Sequence, residues 1–147
     1  MSKIVYHPKI GSVVICDFNR TDVPQQELLV DGFEKPEMVK KRPAIVVSYD
    51  KMGGRLCTIV PLSQTAPDKP QPWHHQLETV PTELQGIGSW AKCDMITTVA
   101  FERLERVRVN SFATSGYVIP RISDADLRAV QRGVLHALRL WNLTPHV

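Results

Sequence analysis

A run of apolar, mostly β-branched residues at positions 44–47, followed by Ser48, begins directly after three consecutive cations and a proline. Such a run is typical of a strand that is buried on both faces. Pro43 has a fixed φ and directs Arg42 towards extended geometry, so we expect the guanidinium to be held at the entrance of the strand. A planar guanidinium in that position is suited to binding phosphate, whereas basic residues before a strand are also typical of a solvated edge.

A second segment, residues 58–65, ends an apolar strand at Pro61 and then presents Ser63, Gln64 and Thr65 together. Two strand ends, one cationic and one rich in hydroxyl groups, indicate an anion site. Serine and threonine after a strand are also common turn formers, so a plain turn is the alternative interpretation.

Six segments have the composition or alternation of strands. Gly53 and Gly54 separate the second from the third and can supply the positive φ of a hairpin turn, so we expect these two strands to be antiparallel neighbours. The chain is therefore predicted to be mainly β, in the α+β class, with five or six short strands forming a small twisted barrel or half-barrel. The six segments are residues 11–18, 44–48, 56–60, 73–77, 89–94 and 96–101.

One amphipathic helix is expected near the C-terminus. Residues 123–126 read as an N-cap followed by acids in the first turn, where the helix dipole favours them. The apolar positions that follow recur on one face, which predicts core packing. That face carries Leu127, Val130, Val134, Leu135, Leu138 and Trp141, and the opposite face carries Arg128, Gln131, Arg132 and Arg139.

The chain has 147 residues and 43% hydrophobic content, which fits a single domain over residues 1–147. A formal net charge of +3 is only mildly basic, so a nucleic-acid contact would have to come from a local patch. Residues 19–41 contain a long connection without a convincing period, and we expect it to be functional or mobile.

Three widely spaced cysteines, Cys16, Cys57 and Cys93, each lie inside an apolar run. This pattern predicts reduced core thiols in a cytoplasmic protein and argues against a disulfide framework or a Cys-x-x-Cys metal site. No segment has the pattern of a signal peptide or the length of a membrane span, so no membrane partner is expected.

Read in order, four blocks of this sequence resemble the PemK/MazF family of toxin endoribonucleases. The resemblance implies an SH3-like barrel and a homodimer that cuts single-stranded RNA, including mRNA, without metal or cofactor. It also implies neutralisation by a cognate antitoxin and a mobile first connection that covers RNA. The blocks are residues 11–18, 42–48, 60–65 and 93–99.

The resemblance also implies roles for individual residues. Arg42 matches the catalytic arginine of the family, and Ser63 stands where a second key residue, often threonine, is found. Asp94 is similar to the aspartate that is proposed as the base in the Kid branch. Lys92 replaces an arginine of that branch, and Met95 and Thr97 stand where the family often has glutamine and arginine just after the aspartate. A buried carboxylate that satisfies backbone donors is the alternative interpretation of Asp94.

His74 and His75 are further candidates, because histidine exchanges protons near neutral pH. Adjacent residues of a strand point to opposite faces, so at most one should face a site. Trp73 could stack on an unpaired base or could pack at the edge of the core. The full set of predicted RNA contacts is Lys41, Gln64, Thr65, Trp73, His74, Lys92 and Thr97.

Two other function classes remain open at this point. The same barrel could serve a non-catalytic nucleic-acid-binding toxin, or a gyrase-directed, DNA-associated toxin like the CcdB branch. The presence of both Arg42 and Ser63 favours the nuclease. A serine or cysteine hydrolase is disfavoured, because no Gly-x-Ser-x-Gly segment is present.

Overall fold

The computed structural model describes residues 3–18, 40–49, 54–86, 88–110 and 115–147. Within these ranges the chain forms nine strands, one α-helix and four short 3-10 segments. The strands are β1 (Val13–Asp17), β2 (Lys41–Tyr49), β3 (Leu56–Ser63), β4 (His74–Gln76), β5 (Trp90–Lys92), β6 (Thr97–Ala100), β7 (Leu104–Glu105), β8 (Val107–Asn110) and β9 (Ser115–Val118). The helix is α1 (Asp124–Ala137), and the 3-10 segments are Thr82–Leu84, Cys93–Met95, Phe101–Arg103 and Trp141–His146.

Seven strands form one antiparallel sheet in the order β4-β5-β3-β2-β1-β7, and β6 pairs with β3 beside β5. The pair β8-β9 forms a separate two-stranded sheet. The predicted mainly β fold with a C-terminal helix is therefore confirmed. In the described part of the chain the sheet is open and does not close into a barrel, and there are nine strands instead of five or six. The three strands that the sequence did not predict, β7 to β9, have only two to four residues each.

The two faces of the sheet bury different sets of side chains. We call the first core the cluster that contains Val14, Cys16, Ala44, Val46, Cys57, Ile59 and Leu104. We call the second core the cluster that contains Val13, Ile45, Val60, Leu62, Ala91, Cys93 and Val130. Strand β2 contributes to both, because residues 43–46 are all buried, as the run of β-branched residues predicts. Helix α1 covers the second core through Val130, with Leu127 and Val134 packed against it.

All three cysteines are buried and free, as the sequence predicts. Burial raises the pKa of Cys16 to about 12, that of Cys57 to about 11 and that of Cys93 to about 12. Because the thiolate is the reactive form, these three side chains are inert core residues.

Helix α1 begins as predicted, because the Ser123 hydroxyl oxygen accepts a hydrogen bond from the Asp126 backbone N–H at 3.1 Å. The prediction for its C-terminal end is wrong. The helix ends at Ala137, and Leu138 and Trp141 are 54% and 55% exposed. Arg139 adopts a left-handed φ of 64°, which terminates the helix before the apolar periodicity of the sequence does.

Most of the predicted mobile connection, residues 19–39, lies outside the described residues, as does Gly53 of the predicted hairpin turn. The antiparallel pairing that this turn was expected to produce is present, from Tyr49 opposite Cys57 to Ala44 opposite Pro61. No helix in the described part of the chain is long and apolar enough to cross a membrane.

Candidate functional site

Arg42 and Ser63 lie at the same end of two paired strands. The last pair of the β2-β3 ladder at this end is Ala44 opposite Pro61. Arg42 and Ser63 each lie two residues beyond that pair, within β2 and β3, so extending the same register places them opposite each other. Side chains two residues apart on a strand share a face, so both residues point to the side of the sheet that carries Ala44. The predicted juxtaposition of a cationic and a hydroxylic strand end is present.

The local sequence explains how Arg42 is held. Pro43 is buried and lies opposite Ile15, and Arg42 lies opposite Cys16, so the backbone is anchored in the sheet. The Arg42 side chain is exposed and has no hydrogen-bond or ion-pair partner among the described residues. A guanidinium on a rigid strand, with its five donors uncommitted in this part of the chain, can receive an anion without reorganisation of the backbone.

Ser63 is half-buried, and its hydroxyl oxygen already accepts a hydrogen bond from the Thr65 backbone N–H at 3.1 Å. Its backbone carbonyl accepts from Ser89 N–H at 3.1 Å. One lone pair of the hydroxyl oxygen is therefore used locally, whereas its own proton remains available for donation. This arrangement suits a donor that orients an anion better than it suits a nucleophile.

Gln64 and Thr65 are exposed at the same strand end. The Gln64 side-chain amide donates to the Gly86 carbonyl, which leaves its oxygen as an acceptor. A cavity of about 270 Å³ adjoins this amide. Its described lining is Gln64, Val80, Leu84, Gln85, Gly86, Gly88 and Ser89.

Lys92, Asp94 and Thr97 follow one edge of β3. Strand β5 pairs with the end of β3, Leu62 opposite Ala91, and β6 pairs with its beginning, Ile59 opposite Thr97. The 3-10 segment Cys93–Met95 connects them and carries Asp94, which is exposed and has no hydrogen-bond partner among the described residues. The alternative interpretation of Asp94 as a buried carboxylate is therefore wrong.

The 3-10 segment that carries Asp94 is held from behind by α1. The Cys93 thiol donates to the Val130 carbonyl at 3.4 Å, and a Cβ added to Gly133 would lie 2.6 Å from the Cys93 sulfur. Gly133 therefore permits the close approach of helix and turn. Sequence inspection missed this residue, and its only signal was a glycine inside an otherwise regular helical pattern.

The two adjacent histidines face opposite sides of the sheet. His74 lies opposite Lys92 on β5, whereas His75 lies opposite Ala91 of the second core. His75 Nε2 is 2.7 Å from Asp126 Oδ1, so His75 is bound to helix α1. At most one of the two histidines faces the Arg42 and Ser63 side of the sheet, as predicted, and that one is His74.

Trp73 packs against the core, as one of its two interpretations predicts, and Lys41 has an ion-pair contact that the sequence did not reveal. Trp73 is half-buried, is packed against the second core, and has its ring 5.9 Å from that of His74. Lys41 Nζ lies 3.2 Å from a carboxylate oxygen of Glu105. Because Lys41 precedes Arg42 on the strand, the Lys41 side chain points to the opposite face. A role of Trp73 and Lys41 in RNA binding stays a prediction.

Comparison with known proteins gives a family match and a related protein. The family described as PemK-like, MazF-like toxins of type II toxin–antitoxin systems matches residues 9–138. The YifN protein of Escherichia coli (strain K12) is 31% identical over 150 residues, which cover 95% of this chain and 97% of YifN.

Solved structures share the fold. MazF from Deinococcus radiodurans matches with a TM-score of 0.60 and 20% identity, over 92% of this chain and 99% of that chain. An endoribonuclease from a mycobacterial species has a TM-score of 0.58 and 16% identity, over 94% and 97%. A mycobacterial endoribonuclease in complex with its cognate antitoxin has a TM-score of 0.57 and 16% identity, over 91% and 97%.

Proposed function

This chain belongs to the PemK-like, MazF-like toxins of type II toxin–antitoxin systems, and we propose that it is an endoribonuclease that cuts single-stranded RNA without a metal ion. The observation that carries the proposal is the position of Arg42 and Ser63 at the same end and on the same face of β2 and β3. Two neighbouring strand ends then offer a fixed cation and a hydroxyl donor to one phosphate group.

In the proposed reaction the ribose 2′-OH attacks the adjacent phosphorus and loses its proton. The bond to the 5′-oxygen of the next nucleotide breaks, and that oxygen takes up a proton from solvent water and leaves as a 5′-OH. Arg42 binds two phosphate oxygens and stabilises the negative charge that develops on them, which is commonly the largest contribution to such catalysis. The Ser63 hydroxyl donates a hydrogen bond to a phosphate oxygen and so orients the phosphate group. Neither residue is a useful base, because a guanidinium stays protonated and a hydroxyl has a high pKa.

Asp94 is the proposed base that accepts the 2′-OH proton. Its exposure in the 3-10 segment after β5 supports this role, because an uncommitted carboxylate can reach a bound strand. Lys92 contributes a cation near the same edge of β3. Lys41, Gln64, Thr65, Trp73 and Thr97 are proposed to contact RNA on either side of the cut, as the resemblance implies.

The proposed partners are a second copy of this chain and a cognate antitoxin protein. Large apolar side chains are exposed close together in the chain after α1, and an exposed cluster of apolar side chains is typical of a protein–protein contact surface. They are Leu138, Leu140, Trp141 and Leu143, with exposures of 41–55%. We expect a homodimer in sedimentation at micromolar concentration, and a monomer there would contradict this part of the proposal. A cytoplasmic location fits the three reduced, buried thiols.

The decisive experiment uses a long single-stranded RNA and maps the ends of its products. Attack by the 2′-OH predicts a 2′,3′-cyclic phosphate, or its opened form, and a free 5′-OH. Replacing the ribose 5′ to the scissile phosphate with deoxyribose should stop cleavage but leave affinity largely unchanged, because phosphates and stacked bases dominate binding. A 5′-phosphate product, or unchanged cleavage of the deoxy-substituted strand, would refute the mechanism.

A chelator provides a separate test of the metal-independent part. Activity should persist in excess EDTA, because the proposed chemistry uses only side chains of this protein and the 2′-OH of the substrate. Loss of activity in EDTA that magnesium or zinc restores would mean that an ion takes part.

A further inference from the structure

We infer that His74 contacts a phosphate of the bound RNA as a neutral N–H donor, with its proton held on Nε2, and acts neither as acid nor as base. The inference rests on the proposed ribonuclease function and adds to it the chemical role of one residue. It runs against the usual expectation that a histidine in a metal-independent ribonuclease transfers protons.

The tautomer of His74 follows from a tight turn. Residues 71–74 have Pro72 in the second position, where its fixed φ suits a β-turn, and the His74 backbone N–H donates to the Gln71 carbonyl at 2.9 Å. In the other direction the Gln71 backbone N–H donates to His74 Nδ1 at 3.0 Å. A backbone N–H can only donate, so Nδ1 must be the acceptor and the ring proton is on Nε2. A second proton on Nδ1 would point at the Gln71 N–H and break this bond.

The register of the sheet places His74 on the same face as the candidate site. His74 on β4 lies opposite Lys92 on β5. Two residues further along β5, Trp90 lies between Gln76 of β4 and Ser63 of β3. His74, Lys92 and Ser63 therefore share one face, on the side away from α1. His74 is half-buried, and Nε2 has no hydrogen-bond partner among the described residues.

The strand that carries His74 is attached at both ends. On one side the Trp73 carbonyl accepts a hydrogen bond from the Cys93 backbone N–H at 3.0 Å. On the other side Asp126 binds His75 at 2.7 Å and the backbone N–H groups of Glu78 and Thr79 at 2.9 and 3.1 Å. His74 consequently presents its N–H from a rigid strand, as a preorganised contact requires.

The ligand is assigned from the charged groups around His74. Lys92 faces it from β5 and is a cation, Asp94 follows Lys92 in the chain, and Asp126 with His75 lies on the other face of the sheet. Two adjacent donors, one of them an ammonium, favour an anionic oxygen. Two strand spacings, about 10 Å, separate β4 from β3, and His74 is also two residues along β4 from Gln76, which is level with Ser63 through Trp90. His74 is therefore placed at a phosphate of the bound strand other than the one that Arg42 and Ser63 bind.

The test compares His74→Ala with His74→Gln, because the glutamine amide nitrogen can reach the position of Nε2 and donate but cannot exchange a proton. His74→Ala should raise KM about tenfold to a hundredfold, the loss expected for a hydrogen bond to a charged group, with little change in kcat. His74→Gln should recover most of that loss, and its pH–rate profile should match that of the wild type. His146→Gln, at an exposed histidine after α1, is the matched control.

Two kinetic results would overturn the inference. One is a large loss of kcat in both His74 variants with loss of a limb of the pH–rate profile, which would make His74 an acid or base. The other is wild-type KM in a folded His74→Ala protein. Nitrogen-15 NMR of the imidazole ring tests the tautomer in the wild-type protein without RNA, and a proton on Nδ1 would also overturn it. If the wild type cuts no RNA, the proposed function fails, while the ring tautomer and the affinity for RNA are still measurable.

Discussion

Asp126 Oδ1 lies 2.7 Å from His75 Nε2, and through this pair the first turn of α1 holds β4. The same carboxylate accepts the backbone N–H groups of Glu78 and Thr79 and the hydroxyl of Ser123. Asp126 is 1% exposed, so it is a buried charge with four partners. A buried carboxylate is tolerated when its oxygens are satisfied in this way.

Replacing Asp126 with asparagine should destabilise the protein in a pH-dependent manner. Burial alone would raise the pKa of Asp126, but hydrogen bonds from Glu78, His75, Thr79 and Ser123 together lower it below its usual 3.8. A lowered pKa stabilises the folded state fully above pH 3.8, and this contribution is lost as the pH falls through the lower pKa of the folded protein.

Urea unfolding across the pH range measures the effect. The free energy of unfolding of Asp126→Asn should be lower than that of the wild type by about 1–3 kcal/mol at neutral pH, and the gap should shrink in acid. Asp124→Asn, at an exposed acid in the same helix turn, is the control. An equal gap at neutral and strongly acidic pH would contradict the assignment.

Replacing Arg42 with alanine should reduce RNA cleavage by about a hundredfold or more, because one preorganised electrostatic group at the phosphate is lost. Arg42→Lys should recover only part of the rate, since an ammonium lacks the planar fork. Initial rates on the mapped RNA give the comparison, with circular dichroism to verify folding. Arg132→Ala removes an exposed charge of α1 and should leave the rate unchanged. A folded Arg42→Ala protein with wild-type turnover would exclude this site.

Replacing Ser63 with alanine should slow cleavage by a smaller factor, about tenfold, because it removes one hydrogen bond from an uncharged donor to the phosphate, at the low end of the range for hydrogen bonds to charged groups. Ser63→Thr should retain activity, since it keeps the hydroxyl. Single-turnover rates separate this effect from product release. Equal losses in the alanine and threonine variants would mean that the packing at position 63 matters and that its hydroxyl does not.

Replacing Gly133 with alanine should destabilise the protein, although alanine is the better helix former by about 1 kcal/mol. The added Cβ would lie 2.6 Å from the Cys93 sulfur and 3.2 Å from the Cys93 Cβ. Overpacking of this kind costs about 1–3 kcal/mol.

A double-mutant cycle with Cys93→Ala shows whether the contact is responsible. Gly133→Ala should be less harmful in the Cys93→Ala background, because the sulfur is absent there. Denaturant midpoints of the four proteins give the coupling. Additive effects of the two changes would exclude the contact as the cause.

Local patterns were sufficient for several elements of this protein. The β-branched run after Pro43 and the apolar residues before Ser63 predict β2 and β3, because a buried strand needs little more than such residues in sequence. The serine at position 123 with acids in the next turn predicts the start of α1, since the cap is a contact within four residues. The sequence also predicts that Arg42 and Ser63 lie near each other, because the two strands of a hairpin have their outer ends side by side.

Long-range packing decided the remaining features. The alternation of side chains along β4 predicts that His74 and His75 face opposite sides of the sheet. Which of them binds Asp126 depends on the side on which α1 packs, and that residue is His75, whereas His74 lies on the other face. The apolar period of α1 continues to Trp141, yet the left-handed backbone at Arg139 ends the helix first. The closure of the sheet and the distance between α1 and Cys93 depend on contacts between residues that are distant in the chain. The energies of such contacts cannot be read from a local sequence pattern.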